Sequence, residues 1–275
     1  MASYEADLSV IRRMSTLMPG PLPIALNGIR VAASVRAAKF VMEGGGDMPI
    51  TMPRTAFQVV YPDCTVMIDA GLDQATHDSF SPDKPEPYFP EAFAKLRRAL
   101  DAARLIVITH FHADHVGGLL TAPNALQLAQ KTILSRMTAQ AMVATPHRPH
   151  LAISDSDIRE FVIFDYERHV PVAPGIVLIK APGHSVDHQM VYVRLASGAE
   201  ILHSVDVGWV LDNIRCKKPK AAPWVKEDVP AIMGQLAWLN AILMRETNIA
   251  LLVTHDDAHF DQLVAAGRIG GDIVV

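Results

Sequence analysis

The chain is expected to fold as a layered α/β domain, and three observations carry that expectation. Short, wholly apolar runs recur at residues 105–108, 176–179 and 249–253, each leading into a segment that contains histidine. Runs of that length without polar alternation suit strands buried on both faces. Segments with helical apolar spacing lie between them, so strands and helices alternate as in α/β folds. With 275 residues, 50% hydrophobic and 20% charged, the chain can bury a core large enough to offset its conformational entropy, which excludes disorder as its main state.

From the N-terminus, residues 8–18 read as a short amphipathic helix closed by Pro19-Gly20-Pro21. Residues 29–42, rich in Val and Ala with polar alternation, read as a strand, and Glu43-Gly44-Gly45-Gly46-Asp47 as a flexible turn. Residues 55–61 and 64–69 form a predicted hairpin with Pro62-Asp63 at its turn. Residues 74–90 hold Pro82, Pro85, Pro87 and Pro90 and read as a long loop, a length typical of functional covers. A helix is expected over 91–104, where Phe93, Leu96, Leu100 and Ala103 share one face. The strand at 105–108 then ends at Thr109-His110. Downstream, 189–195 and 200–203 pair around Ser197-Gly198, 230–245 is a long helix, and 249–253 is a strand ending at Thr254-His255. The polar residues gather at C-terminal strand ends, where layered α/β folds display functional groups.

Charge and composition narrow the function. Lys and Arg total 25 against 29 Asp and Glu, a net charge of −4, and the one basic tract, Lys217-Lys218-Pro219-Lys220, is short. No excess of positive charge is available to grip a phosphate backbone, which disfavours nucleic acid as a partner. No stretch approaches the roughly 18 apolar residues of a membrane span. The N-terminus lacks the basic start and apolar run of a secretory signal. Cys64 and Cys216 stand far apart and read as reduced thiols. A cytoplasmic protein with no membrane partner is the expectation.

Histidine is the unusual count, at 12, and several fall in Thr109-His110-Phe111-His112-Ala113-Asp114-His115-Val116-Gly117-Gly118. Four potential ligands fall within six residues, directly after a buried strand. If the chain stays extended, alternation sends His110 and His112 to one cation. If a turn follows, Asp114 and His115 reach a second. Gly117 and Gly118 permit close backbone approach at a loop-to-helix transition. Imidazole and carboxylate donors suit zinc, and also manganese, iron or cobalt.

The order H-x-H-x-D-H resembles the signature of the metallo-β-lactamase superfamily. Further stretches are similar to later family positions: Ala181-Pro182-Gly183-His184-Ser185, Leu202-His203-Ser204-Val205-Asp206 and Leu252-Val253-Thr254-His255-Asp256. Upstream, Val66-Met67-Ile68-Asp69-Ala70-Gly71 is like the family's apolar strand and Asp-x-Gly turn. The resemblance runs from about residue 55 to the C-terminus. It implies a four-layer αβ/βα sandwich over residues 55–275, with residues 1–54 as an N-terminal extension packing on it. It also implies two divalent metal ions, zinc first among them with manganese or iron possible. His110, His112 and His184 would hold one ion, Asp114, His115 and His255 the other, and Asp206 would bridge them. Asp69 is expected to orient a ligating histidine. His188, His203 and His259 read as structural, Asp187 and Asp256 as polar loop residues, and His77, His147 and His150 as solvated.

The family chemistry implied is hydrolysis of a small molecule. Two cations about 3.5–4 Å apart can share a water, lower its pKa and deliver a bridging hydroxide, while polarising the carbonyl under attack. Asp114 is the expected proton shuttle to the leaving group. The ligand order is most similar to the lactonase and thioesterase branches, so opening of a lactone or cleavage of a related ester or amide leads. A thioester hydrolase, or a mononuclear iron dioxygenase acting on a persulfide-like substrate, are the alternatives on the same fold. Acyl-homoserine lactonases usually carry a tyrosine three residues beyond the bridging aspartate. Here Trp209 stands there, as the expected substrate-binding residue. Segments 74–90, 137–156 and 208–229 supply Phe80, Tyr88, Phe89, Met142, Trp209 and Trp224 for an apolar wall, or equally for the core or a homodimer partner. No cluster of Arg or Lys in the sequence demands a phosphorylated or strongly anionic substrate, and Arg54, Arg148 and Arg215 have no assigned place.

Overall fold

A computed structural model describes residues 4–275, which divide into two units. One comprises Ala25–Ser34, Pro53–Asp165 and Ile269–Val275. The other comprises Val35–Met52, Tyr166–Arg268 and the described residues up to Ile24. The first 54 residues are thus shared between both units.

A six-stranded sheet runs in the order β1 (Ala25–Ala37), β2 (Pro49–Val60), β3 (Thr65–Ile68), β4 (Leu105–Val107), β5 (Thr132–Ser135), β6 (Val162–Phe164). β2 and β3 form the expected antiparallel hairpin, with Phe57 opposite Ile68 and Val60 opposite Thr65. β4 lies parallel to β3 and β5 on its two sides, and Ile106 and Val107 are fully buried, as an unbroken apolar run requires. The helix Pro90–Ala102 starts on its proline, whose missing N–H costs nothing at a first helical position. It buries Phe93, Leu96, Ala99 and Leu100 against Met67, Ile106 and Ile108 in the core of this unit.

The second sheet has the order β11 (Ile249–Leu252), β10 (Glu200–His203), β9 (Gln189–Arg194), β8 (Ile176–Lys180), β7 (His169–Ala173). β10 and β11 are parallel and the remaining pairs antiparallel. Glu200 pairs with Arg194 across the predicted turn, where Gly198 takes φ +86°. Helix Val229–Arg245 buries Ile232, Leu236, Leu239 and Ile242 with Val177, Tyr192 and Leu251. Asp228 caps it, accepting the Ala231 N–H at 3.1 Å. Asp256 caps the helix Asp257–Ala265 in the same way, through His259 N at 2.9 Å, so it is a capping residue and not a loop residue.

Two expectations need correction. The strand read over 29–42 begins at Ala25 and ends at Ala37, where a single helical turn, Ala38–Val41, takes over. That turn is held by the glycine-rich loop, since Lys39 N donates to the Gly46 carbonyl at 2.7 Å. A Cβ on Gly45 would lie 2.4 Å from the Ala38 carbonyl oxygen. The 74–90 loop opens with a helical turn, Gln74–Asp78, which Asp73 caps through the Thr76 N–H at 3.1 Å. Among the described residues no helix is long and apolar enough to cross a membrane.

Candidate metal centre

In the unit built on the six-stranded sheet, the ligand-type residues follow β4. Asp69 closes β3 with φ +63°, a left-handed conformation that a non-glycine residue adopts at a cost. The strain aims its buried carboxylate at three donors. Oδ1 accepts the Thr109 N–H at 2.8 Å. Oδ2 accepts the Thr109 hydroxyl at 2.8 Å and His115 Nδ1 at 2.7 Å. Because the Thr109 hydroxyl spends its proton on Asp69, it accepts from His110 Nδ1 at 3.1 Å. His110 and His115 are thereby both held with Nδ1 protonated and Nε2 carrying the lone pair. That is the arrangement a carboxylate behind a ligating imidazole produces.

His112 is the N-terminal flanking residue of helix Ala113–Leu120, so Asp114 and His115 fall in its first turn. The rings of His110 and His115 lie 4.0 Å apart, and those of His110 and His112 4.6 Å apart. The glycines set this approach. Gly118 N donates to the Gly71 carbonyl at 2.9 Å, and Ala70 N to the His115 carbonyl at 2.7 Å. A Cβ on Gly118 would sit 2.1 Å from the Ala70 oxygen. The helix start is pressed directly on the Asp69-Ala70-Gly71 turn.

Around this group lie residues that the sequence left unassigned. Arg54 donates to Asp114 Oδ2 and, at 3.2 Å, to Ser34 Oγ. His147 is not solvated: its Nδ1 accepts the Ala113 N–H at 2.9 Å and its ring stacks on His112 at 4.3 Å. Burial lowers its pKa to about 4, so it is neutral at pH 7. His77 is buried as well. His150 is exposed, with Nε2 2.8 Å from Thr76 Oγ1. No local spacing pointed to Arg54 or His147, because their partners are 60 and 34 residues away in the chain.

The other unit assembles a second set. His184 follows β8 with Nδ1 2.6 Å from Glu227 Oε1 and Nε2 3.3 Å from Asp206 Oδ2. His255, beyond β11, brings Nε2 to 3.2 Å from the same oxygen. Two imidazole nitrogens on one carboxylate oxygen are a donor set of the borderline kind that suits zinc and related divalent ions. Asp206 follows Val205, whose φ of +52° is an outlier for a β-branched residue. His188 fixes the bend: its Nε2 accepts the Asp206 N–H at 3.1 Å while Nδ1 donates to the Ala181 carbonyl at 3.0 Å. It is structural, as are His203 and His259, which bond the carbonyls of Leu252 and Leu251. Asp187 is buried and accepts the Ser185 hydroxyl at 2.6 Å, so it too is more than a loop residue.

Behind His184 stands an ion pair that sequence reasoning missed. Lys220 Nζ lies 2.6 Å from Glu227 Oε1, with both side chains under 5% exposed, and it also donates to the Asp206 carbonyl. Burial pushes the Glu227 carboxyl up and Lys220 pulls it down. Trp209 is buried with Val41, Met52, Val210 and Ala222. Its carbonyl accepts the His255 N–H at 3.2 Å, and its ring lies 5.3 Å from Lys220 Nζ.

These two sets carry a family signature. Residues 51–218 match the Metallo-beta-lactamase superfamily, and the chain belongs to that superfamily. It is 28% identical over 120 residues to an N-acyl homoserine lactonase from Bacillus thuringiensis, across 42% of this chain and 43% of that protein. An N-acyl homoserine lactonase from Bacillus sp is 23% identical over 144 residues, 52% of each chain. The chain thus spans about half the length of the curated relatives it matches. Among solved structures, an N-acyl homoserine lactone hydrolase with N-hexanoyl-L-homoserine at its catalytic metal centre has a TM-score of 0.67 at 18% identity, covering 88% of this chain and 96% of that one. AidC, a dizinc quorum-quenching lactonase, has a TM-score of 0.59 at 13% identity, covering 86% and 90%. At such identities the likeness is one of fold, and the expected metallo-β-lactamase α/β fold is the one found.

Proposed function

We propose that the chain is a metal-dependent hydrolase that opens a lactone or cleaves a related ester, thioester or amide. The observation that carries this reading is the pair of largely buried His/Asp sets, in each of which a carboxylate lies at hydrogen-bond distance from the Nδ1 of an imidazole. We assign His110, His112, Asp114 and His115 from one set and His184, Asp206 and His255 from the other to two divalent cations, zinc being the first candidate. When bound, the cations would acidify a shared water to serve as nucleophile and polarise the scissile carbonyl.

The residues of the chain supply the rest. Asp69 and Glu227 orient the histidines. Asp114, paired with Arg54, is the residue to which we assign proton transfer to the leaving oxygen. Trp209 offers an apolar wall and an indole N–H that donates but never accepts. The names of the relatives favour a lactone among the acyl substrates. The test is a screen of lactones, thioesters and amides against protein reconstituted with zinc or manganese, with His112→Ala as the control. Turnover by the wild type, abolished by chelation and cut at least a hundredfold by the substitution, is expected. Hydrolysis indifferent to chelator, or a single iron per chain, would overturn the reading.

A further inference from the structure

One charged group beside Asp114 has no work to do in that reaction. Arg54 and Arg148 both pack over Phe80, with guanidinium carbons 4.2 and 4.1 Å from the ring centroid. Two like charges therefore share one aromatic ring. Arg54 is well compensated. It meets Asp114 directly, and through Ser34 Oγ it is one hydroxyl away from Glu86, whose Oε2 accepts that hydroxyl at 2.8 Å.

Arg148 is compensated less: the Asp114 carboxylate favours its charge from a distance, but that carboxylate is already paired with Arg54. Arg148 Nε donates to Ser79 Oγ at 3.0 Å and its Nη1 to the His147 carbonyl at 3.0 Å, both neutral acceptors. Among the described residues no carboxylate forms an ion pair with it. A partly buried guanidinium held beside another costs desolvation and repulsion that a fold selected for stability alone would relieve with an acid. Here it is kept rigid instead, by the Phe80 ring, the Ser79 hydroxyl and its own neighbour. That neighbour is His147, which is anchored on Ala113 N and on the His112 ring. A guanidinium with no ion pair of its own is therefore fixed next to the loop that carries His112 and Asp114.

We propose that Arg148, backed by Arg54, is the receptor for a carboxylate on the substrate, so that the acyl compound hydrolysed is an acidic one. A planar guanidinium pre-set on an aromatic ring suits a planar carboxylate. The receptor stands on Arg148 alone, and its link to turnover rests on the hydrolase reading above.

The receptor is tested by calorimetric titration of glutarate, and of neutral glutaramide, into the protein as purified and into Arg148→Gln and Arg148→Lys. Glutarate should bind the wild type at least tenfold more tightly than Arg148→Gln, with Arg148→Lys between, and glutaramide should not bind. Equal glutarate affinity in all three proteins, or none in any, would overturn the receptor. So would inorganic phosphate binding tenfold more tightly than glutarate. With metal-loaded wild type, a γ-lactone bearing a carboxylate should be preferred over γ-butyrolactone, and Arg148→Gln should erode that preference about tenfold through KM. A wild type that prefers the neutral lactone would overturn the inference. Arginine-dependent glutarate binding without any hydrolysis would leave the receptor standing and remove the hydrolase reading.

Discussion

The histidines of this chain differ in burial, and for His77 burial decides the charge. His77 is buried beside the Tyr88 ring, and burial, with the nearby Arg54 charge, lowers its pKa. A base whose folded pKa is depressed stays neutral in the folded chain while the unfolded chain takes up a proton below about pH 6.5. Its contribution is therefore complete above that pH and lost as pH falls toward the folded value. Urea unfolding should show a smaller loss of stability between pH 7.5 and 5.5 in His77→Phe than in the wild type. Equal losses would mean that His77 does not titrate with unfolding. Nothing in the sequence separates His77 from a solvated histidine, since its burial comes from Tyr88 and a turn capped by Asp73. The cluster from His110 to His115 was legible because its spacing alone brings the rings together.

At the scale of elements, Gly117 and Gly118 are neighbours with opposite duties. A Cβ at 117 meets Leu72 and Thr76 side-chain atoms at 3.4 Å, an ordinary contact, whereas at 118 it strikes the Ala70 backbone oxygen. Helix propensity favours alanine over glycine by about 1 kcal/mol at either place. Gly117→Ala should therefore be neutral or stabilising. Gly118→Ala, which forces helix Ala113–Leu120 off its turn, should lose about 2 kcal/mol or more, on the order of 5 °C in Tm. Thermal melts of the two variants check the contrast, and equal shifts would sink it. Elements with strong local signals, such as β4, the β2–β3 hairpin and helix Val229–Arg245, could be read from the sequence. The short edge strands β6 and β7 could not, because three to five partly exposed residues leave no periodicity to read.

For the molecule as a whole, each unit carries some of the proposed ligands, and a cation bound by the folded chain and not by the unfolded one would raise its stability. Protein stripped by chelator should melt lower than protein with zinc at a hundred times its dissociation constant, a difference of about 2.7 kcal/mol by mass action. Calorimetry showing the same Tm with and without metal would count against metal binding by the folded chain. The family resemblance pointed to the seven proposed ligands and to Asp69 behind one of them, yet Glu227 and Arg54 were not legible. Glu227 lies 43 residues from His184, and Arg54 lies 60 from Asp114, distances at which pairing depends on the finished fold. The left-handed backbone at Asp69 and Val205 has a further consequence. Each is a spring of roughly 1–2 kcal/mol, held down only by its surroundings. Release of either corner would displace the side chains it aims without breaking a strand pairing. Intact secondary structure is therefore a weaker check on a sample than the proposed metal binding itself.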